Sequence, residues 1–359
     1  MIRILDRYIL KKYFTVFFFT VLAFILIICA IDFAEKNDDF MKHKLSYDIV
    51  FSKYYLNLVP ALANYLSPLF VFISTIVVVS MMASNTEIVA ILSSGVSYQR
   101  FLYPFILGAI LLAGITFYLI GWTIPKSNVE RVDFEVKYLK KTYRFSDRDV
   151  HFLIEPHTYA YLQSYNTDIN VGYHFTLETF EGKKLVSKLK TNRIAWDSTT
   201  GKWNMSDFTI RTYNGEKEAV TRYQKSDTLL NLYPRDFGSR HNYHQTLTFP
   251  QLKNYIAEQK IRGLDNVDIY IIEYYDRLAY PFAIIIMTLM GVVISSKKSR
   301  EGVAFKIVTG FLLAVAYFIF LQLGRVFVSD GNIHPMLGSW IPNLVFIVIG
   351  IYLYIKTPK

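Results

Sequence analysis

The sequence predicts a helical membrane protein with an all-β domain of sandwich or jelly-roll type inserted between two triplets of transmembrane helices. Three observations predict it. Six stretches are long and apolar enough to cross a bilayer. From about Thr123 to Thr248 an alternation of period two replaces continuous hydrophobicity. Finally, 52% of the 359 residues are hydrophobic and only 19% are charged, which is too little polar surface for one soluble globule. The formal charge of +10 would suit nucleic acid, but the basic residues are dispersed among apolar spans, so the expected partner is membrane lipid and not nucleic acid. Cys29, the only cysteine, can form no intrachain disulfide.

Arg3, Arg7, Lys11 and Lys12 precede an almost wholly apolar run from Tyr13 to Ile31. The run exceeds the core of a cleaved signal, and Ile28 before Cys29 argues against lipoprotein processing, so an uncleaved first span is expected. The positive-inside rule puts its amino end in the cytoplasm. A mixed-charge segment from Asp32 to Leu58 leads to a second span at about Val59 to Met82, where Pro60 and Pro68 predict a kinked or late-starting helix.

The stretch from Ser84 to Arg100 is polar-edged and too short to cross. Ser84 and Glu87 have the spacing of a capping box, and Gly95 offers a left-handed stop, which predicts a helix of about three turns. Ile88, Ile91 and Leu92 fall on one stripe of it, so the piece must lie on a membrane surface or dock into something. A third span follows from Phe101 to Trp122, with Gly108 and Gly114 as small residues suited to close packing.

Three crossings place residues 124–248 outside. There Val171, Tyr173, Phe175 and Leu177 alternate with His174, Thr176 and Glu178, and Tyr159 and Tyr161 repeat the pattern. Glu181-Gly182-Lys183, Thr199-Thr200-Gly201 and Asn214-Gly215-Glu216 predict hairpin turns. Residues 249–266 return to helix behind Pro250, as a connector, and residues 267–359 hold spans four (274–295), five (303–327) and six (339–355). Lys297, Lys298 and Arg300, the amino terminus and the Lys356 to Lys359 tail all fall on the cytoplasmic side of this six-span topology.

Enzyme chemistry finds little support. No G-x-x-x-x-G-K-[ST] motif is present, so nucleotide binding through a P-loop belongs to another chain if it occurs at all. The spans hold no cluster of the His, Asp and Glu that a hydrolase or proton relay would need, and serines near the spans have no histidine partner. His241 and His244 are three apart with no third ligand nearby, which describes ordinary loop residues better than a metal site. No catalytic residue, metal or cofactor is assigned.

The order of parts, together with the opening Leu5-Asp6-Arg7-Tyr8-Ile9, the Glu87 to Gly95 pattern, Arg277 followed by Pro281, and Val308-Thr309-Gly310, resembles the LptF/LptG family of lipopolysaccharide-export permeases. The resemblance covers essentially the whole chain, and its opening leans toward the G-type subunit; the strand domain matches in type rather than in residues. It implies a transport subunit of the bacterial inner membrane. Such a subunit pairs with a homologous LptF-like permease above a cytoplasmic LptB-like ATPase dimer, which uses the ATP. Lipopolysaccharide taken from the membrane then passes through the periplasmic domain toward an LptC/LptA-like bridge protein.

That resemblance gives the residues roles. Ser84, Glu87, Ile88, Ile91, Leu92 and Gly95 would couple to the ATPase, Glu87 by accepting a hydrogen bond from a basic residue and the stripe by filling a groove. Lys36, Lys42, Lys44, Arg277 and Arg325 would hold the anionic headgroup, although cations beside span ends also snorkel to lipid phosphates, and Glu273 or Asp276 could simply pair with Arg277. Asp32 is out of keeping there, an acid where a phosphate would favour a base. Tyr173, Phe175 and Leu177 would line an acyl-chain groove, or form plain sandwich core. A membrane-anchored periplasmic sensor or ligand-binding protein without an ATPase is the alternative.

Overall fold

The computed structural model describes residues 3–139, 148–167, 169–215, 217–237, 243–261, 267–296, 302–329, 331 and 333–356. His241, Glu216, the Lys297, Lys298 and Arg300 loop and Lys359 lie outside the described residues. In chain order the helices are α1 (Ile4–Lys42), α2 (Tyr47–Ile49), α3 (Leu56–Tyr65), α4 (Ser67–Ser84), α5 (Glu87–Ser93), α6 (Tyr98–Tyr118), α7 (Ile124–Phe134), α8 (Pro234–Phe237), α9 (Phe249–Ile261), α10 (Val267–Ser295), α11 (Gly302–Ser329) and α12 (Pro335–Lys356). Two compact units result: Met1–Phe134 with Gln245–Phe249 and Asp268–Lys359, and Glu135–His244 with Pro250–Val267.

In the first unit, six helices are long and apolar enough to cross a membrane. α4 and α10 form its centre. Phe70, Val71, Val78 and Val79 of α4 and Ile284 and Val292 of α10 pack with α1, α5 and α6. Phe72 and Ile76 of α4 and Met287 and Met290 of α10 pack with Tyr317 of α11 and Phe346 of α12. Burial follows from this arrangement: 83% of the apolar window is buried in α4 but only 17% in α1, so α1 offers most of its apolar surface outward. Two buried hydroxyls of the central helices are satisfied within their own helices. Ser74 Oγ donates to Phe70 O at 2.6 Å and Thr288 Oγ1 to Ile284 O at 2.8 Å.

The element boundaries bear on three expectations. α1 does not stop at Ile31 but runs on through the mixed-charge residues to Lys42, stabilised by Asp32–Lys36 and Asp39–Lys42 pairs at helical spacing. The second span starts late, as the prolines suggested: the helix breaks at Leu66 and restarts at Ser67 with Pro68 in its first turn. Beyond the third span the backbone stays helical to Leu139, and the first strand among the described residues is Val150–Glu155, so the strands start well after Ile124. Of the two glycines expected to pack closely in the third span, Gly108 lies under Tyr13, whereas Gly114 faces open space within this chain.

In the second unit β1 (Val150–Glu155), β2 (Thr158–Asn166), β3 (Val171–Glu181), β4 (Lys184–Asp197), β5 (Lys202–Asn214) and β6 (Lys217–Thr228) form one antiparallel sheet in chain order. The expected turns close its last three hairpins, with Gly182, Gly201 and Gly215 at positive φ. A jelly roll would need two sheets and crossovers between them; the described strands form a meander instead. One face of the meander is covered by the chain after β6. Trp203 is wholly buried and donates its indole N–H to Leu232 O at 2.7 Å, and Phe237 stacks on Tyr165 with ring centres 4.1 Å apart.

Candidate functional site

The stretch between α4 and α6 folds as an elbow, by a different device from the one expected. Ser84 ends α4 and returns its hydroxyl to Met81 O, so it caps nothing in α5. The residue before α5 is Thr86, held at φ +62, and α5 has seven residues, about two turns. Gly95 does take the left-handed conformation at φ +87, and Ser97 caps α6 by accepting from the Arg100 amide at 3.3 Å. The apolar stripe turns inward: Ile88 is 3% exposed, and Ile91 and Leu92 pack against the same core, because the backbone reversals at Thr86 and Gly95 fold α5 back onto α1 and α6. Ile88 therefore does not project from the bundle. Val89, Ala90, Ser93 and Ser94 do.

Polar contacts fasten this elbow to the start of α1. Glu87 accepts from Lys12 Nζ at 3.0 and 3.1 Å and from the Tyr8 hydroxyl at 3.0 Å. Arg100 Nη2 donates to Asp6 Oδ2 at 2.6 Å, and the same carboxylate oxygen accepts from the Arg3 amide at 2.8 Å. On the other side the Tyr98 hydroxyl lies 2.7 Å from Ser296 Oγ, just past α10. Partial burial works to raise the Glu87 pKa, but the hydrogen bonds from Lys12 and Tyr8 outweigh it and hold the carboxyl below its usual range.

At the opposite end of the bundle the predicted headgroup cations are largely taken. Lys36 binds Asp32 at 2.5 Å and also donates to the Tyr54 hydroxyl, while Tyr55 donates to Asp32 at 3.0 Å. The acid that looked out of place at position 32 is the hub of this network. Burial, and after it the Asp32 charge, push the Tyr55 phenol up, so it remains a donor. Arg277 is 1% exposed and is held by Glu273 at 2.9 Å and by Leu247 O at 2.7 Å. Its guanidinium is drawn inside to satisfy buried acceptors, which differs from the surface cation expected at the end of the span. Arg325 reaches Asp276 rather than solvent alone. Lys42 pairs with Asp39 on the surface, and Lys44 is exposed at φ +50.

Around Asp276 lies a polar seam that sequence reasoning missed. Tyr280 donates to Tyr65 O at the break before α4, Asn343 donates to Ala279 O at 2.8 Å, and Tyr317 donates to Asn343 at 3.0 Å. In the β domain Phe175 is wholly buried in the core and Leu177 packs beside it, whereas Tyr173 is 38% exposed. The four alternating residues therefore do not share one face of an unbroken strand. His174, at φ +52, drops out of both flanking ladders and separates Tyr173 from Phe175.

A bundle of two helical triplets, each giving one helix to the central pair, an elbow at one end and an inserted antiparallel sheet define a multi-pass membrane protein with a β domain. The family model of the lipopolysaccharide export system permease LptF/LptG matches residues 7–356. The chain belongs to that family, and so is a transport subunit rather than an enzyme. The lipopolysaccharide export system permease protein LptG of Haemophilus influenzae is 23% identical over 354 residues, 97% of each chain, in line with the G-type leaning of the Leu5 to Ile9 opening.

Proposed function

We propose that this chain is one of two permease subunits of an ATP-driven exporter that extracts lipopolysaccharide from the inner membrane and passes it through the β domain toward the outer membrane. The family match across residues 7–356, which takes in both bundle halves, the elbow and the sheet, carries this reading. ATP is hydrolysed on a separate ATPase dimer, a partner permease completes the membrane cavity, and a periplasmic bridge protein receives the lipid. The amino terminus and elbow are cytoplasmic, and the β domain is periplasmic.

Physical chemistry demands an enclosed route. At ~0.8 kcal/mol per methylene, exposing one acyl chain of about a dozen carbons to water costs on the order of 10 kcal/mol. The chains must stay against apolar walls while cations hold the headgroup, and Lys42, Lys44 and the exposed part of Arg325 are the groups best placed for that. On the elbow the motor meets the outward Val89, Ala90 and Ser93, with Glu87, held from behind by Lys12 and Tyr8, offering its carboxylate beside them. Purification in mild detergent tests the proposal: a second permease and an ATPase are expected to come along. Recovery of this chain alone would favour an anchored sensor instead.

A further inference from the structure

α1 is unbroken for 39 residues and contains neither proline nor glycine, the residues that most often bend a helix. At ~1.5 Å per residue it spans about 36 Å from Lys12 to Lys36. Its first turns grip both sides of the elbow: Lys12 and Tyr8 hold Glu87 at the start of α5, and Asp6 holds Arg100 beyond Gly95. The polarity is opposite in the two arms, with α1 supplying the base in one and the acid in the other. A slip that exchanged partners would bring like charges together, so the grip has one register.

We propose that these two ion pairs are a clamp that delivers a displacement of the elbow to α1, making the first helix the output of the motor stroke and the Asp32–Lys36–Tyr54 network its far end. Other paths are stiffer. α4, covalently joined to the elbow, is the most buried span, and moving it would disturb both cores; α1 is the least buried of the six. Among the described residues the polar link to α10 is a neutral hydrogen bond between Tyr98 and Ser296, whereas the link to α1 includes two charged pairs. Tyr13 directly follows the clamp, lies over Gly108 of α6 and meets Thr288 of α10 at 3.3 Å, which gives α1 a contact to turn on.

The clamp rests on the exporter reading, and the two fail differently. In a Cys29→Ala background, spin labels at Met41→Cys and Met336→Cys, both exposed, report the position of the far end of α1 in the purified complex. ATP is expected to change that distance in the parent, and the double variant Asp6→Asn with Lys12→Met to abolish the change while the ATPase still copurifies and hydrolyses ATP. Asp6→Glu, which keeps the carboxylate, restores it. Should Asp6→Asn not assemble, Lys12→Met alone removes one arm at a partly exposed position and is expected to reduce the change. A distance change that keeps its parental size in either variant, or that never occurs in an ATP-hydrolysing parent, overturns the clamp. Absence of any ATPase from the parent preparation overturns the exporter reading itself, before labels are used.

Discussion

Arg325 on α11 closes on Asp276 of α10, with Nε at 2.8 Å and Nη2 at 2.7 Å from one carboxylate oxygen. Asp276 is 6% exposed, so this pair fastens two helices of the second triplet where an unpaired acid would be costly. Arg325→Met is expected to destabilise the protein by about 2–3 kcal/mol, at the low end for breaking a buried pair because Arg325 is partly exposed. Asp276→Leu with Arg325→Met should recover most of that loss in detergent melts. A single variant as stable as the parent would show that the pair does not hold the helices.

Gly324 of α11 and Gly338 of α12 bring two backbones together: a Cβ on either would strike the other's carbonyl, which cannot move aside as a side chain can. Gly338→Leu is expected to cost several kcal/mol, roughly the worst of overpacking, and to abolish monodisperse elution. Gly114→Leu, at a site with open space, should be tolerated. Equal behaviour of the two would contradict the crossing.

Phe175 and Tyr173 should behave oppositely although they are two residues apart. Phe175→Ala removes a wholly buried ring and is expected to cost about 3–5 kcal/mol, whereas Tyr173→Ala should cost less than about 1. A photo-crosslinking residue at Tyr173 should capture lipopolysaccharide during ATP turnover, and one at Phe175 should not. Capture at both would mean that the sheet opens as the lipid passes.

Glu87 sets a pH dependence. Its folded pKa is depressed, so the stabilisation from Lys12 is fully present above the unfolded value, about 4.5, and is lost only as pH falls through the lower folded value. A spin label at Val89→Cys should therefore keep one mobility from about pH 8 to pH 5. In Lys12→Met the carboxyl loses its main partner and titrates higher, so mobility should begin to rise at a higher pH than in the parent. Identical profiles in the two proteins would remove Lys12 as the stabilising partner.

Much of the bundle was legible because bilayer length and hydrophobicity are written continuously along the chain. Six spans, the late start at Pro68 and the left-handed Gly95 all read directly. Local patterns misled where two devices compete for one segment. Ser84-x-x-Glu87 has capping spacing, yet Ser84 serves α4 and Thr86 turns the chain. Likewise, Asn214-Gly215 and its like announce hairpins but are silent on whether the hairpins close into one sheet or two. The ion pairs were illegible for another reason: Glu87–Lys12 and Arg100–Asp6 lie 75 and 94 residues apart, and no periodicity joins them. A signal did exist for the extension of α1, since Asp32 and Lys36 are at i,i+4 and Phe33 and Phe40 share a face.

Transfer of labelled lipopolysaccharide out of vesicles holding the purified complex tests the central claim most directly. Release to a soluble acceptor should require ATP hydrolysis and should stop in Glu87→Arg, whose chain still inserts but no longer retains the ATPase. Release that proceeds without ATP, or that continues in Glu87→Arg with the ATPase absent, would contradict a permease driven through its elbow.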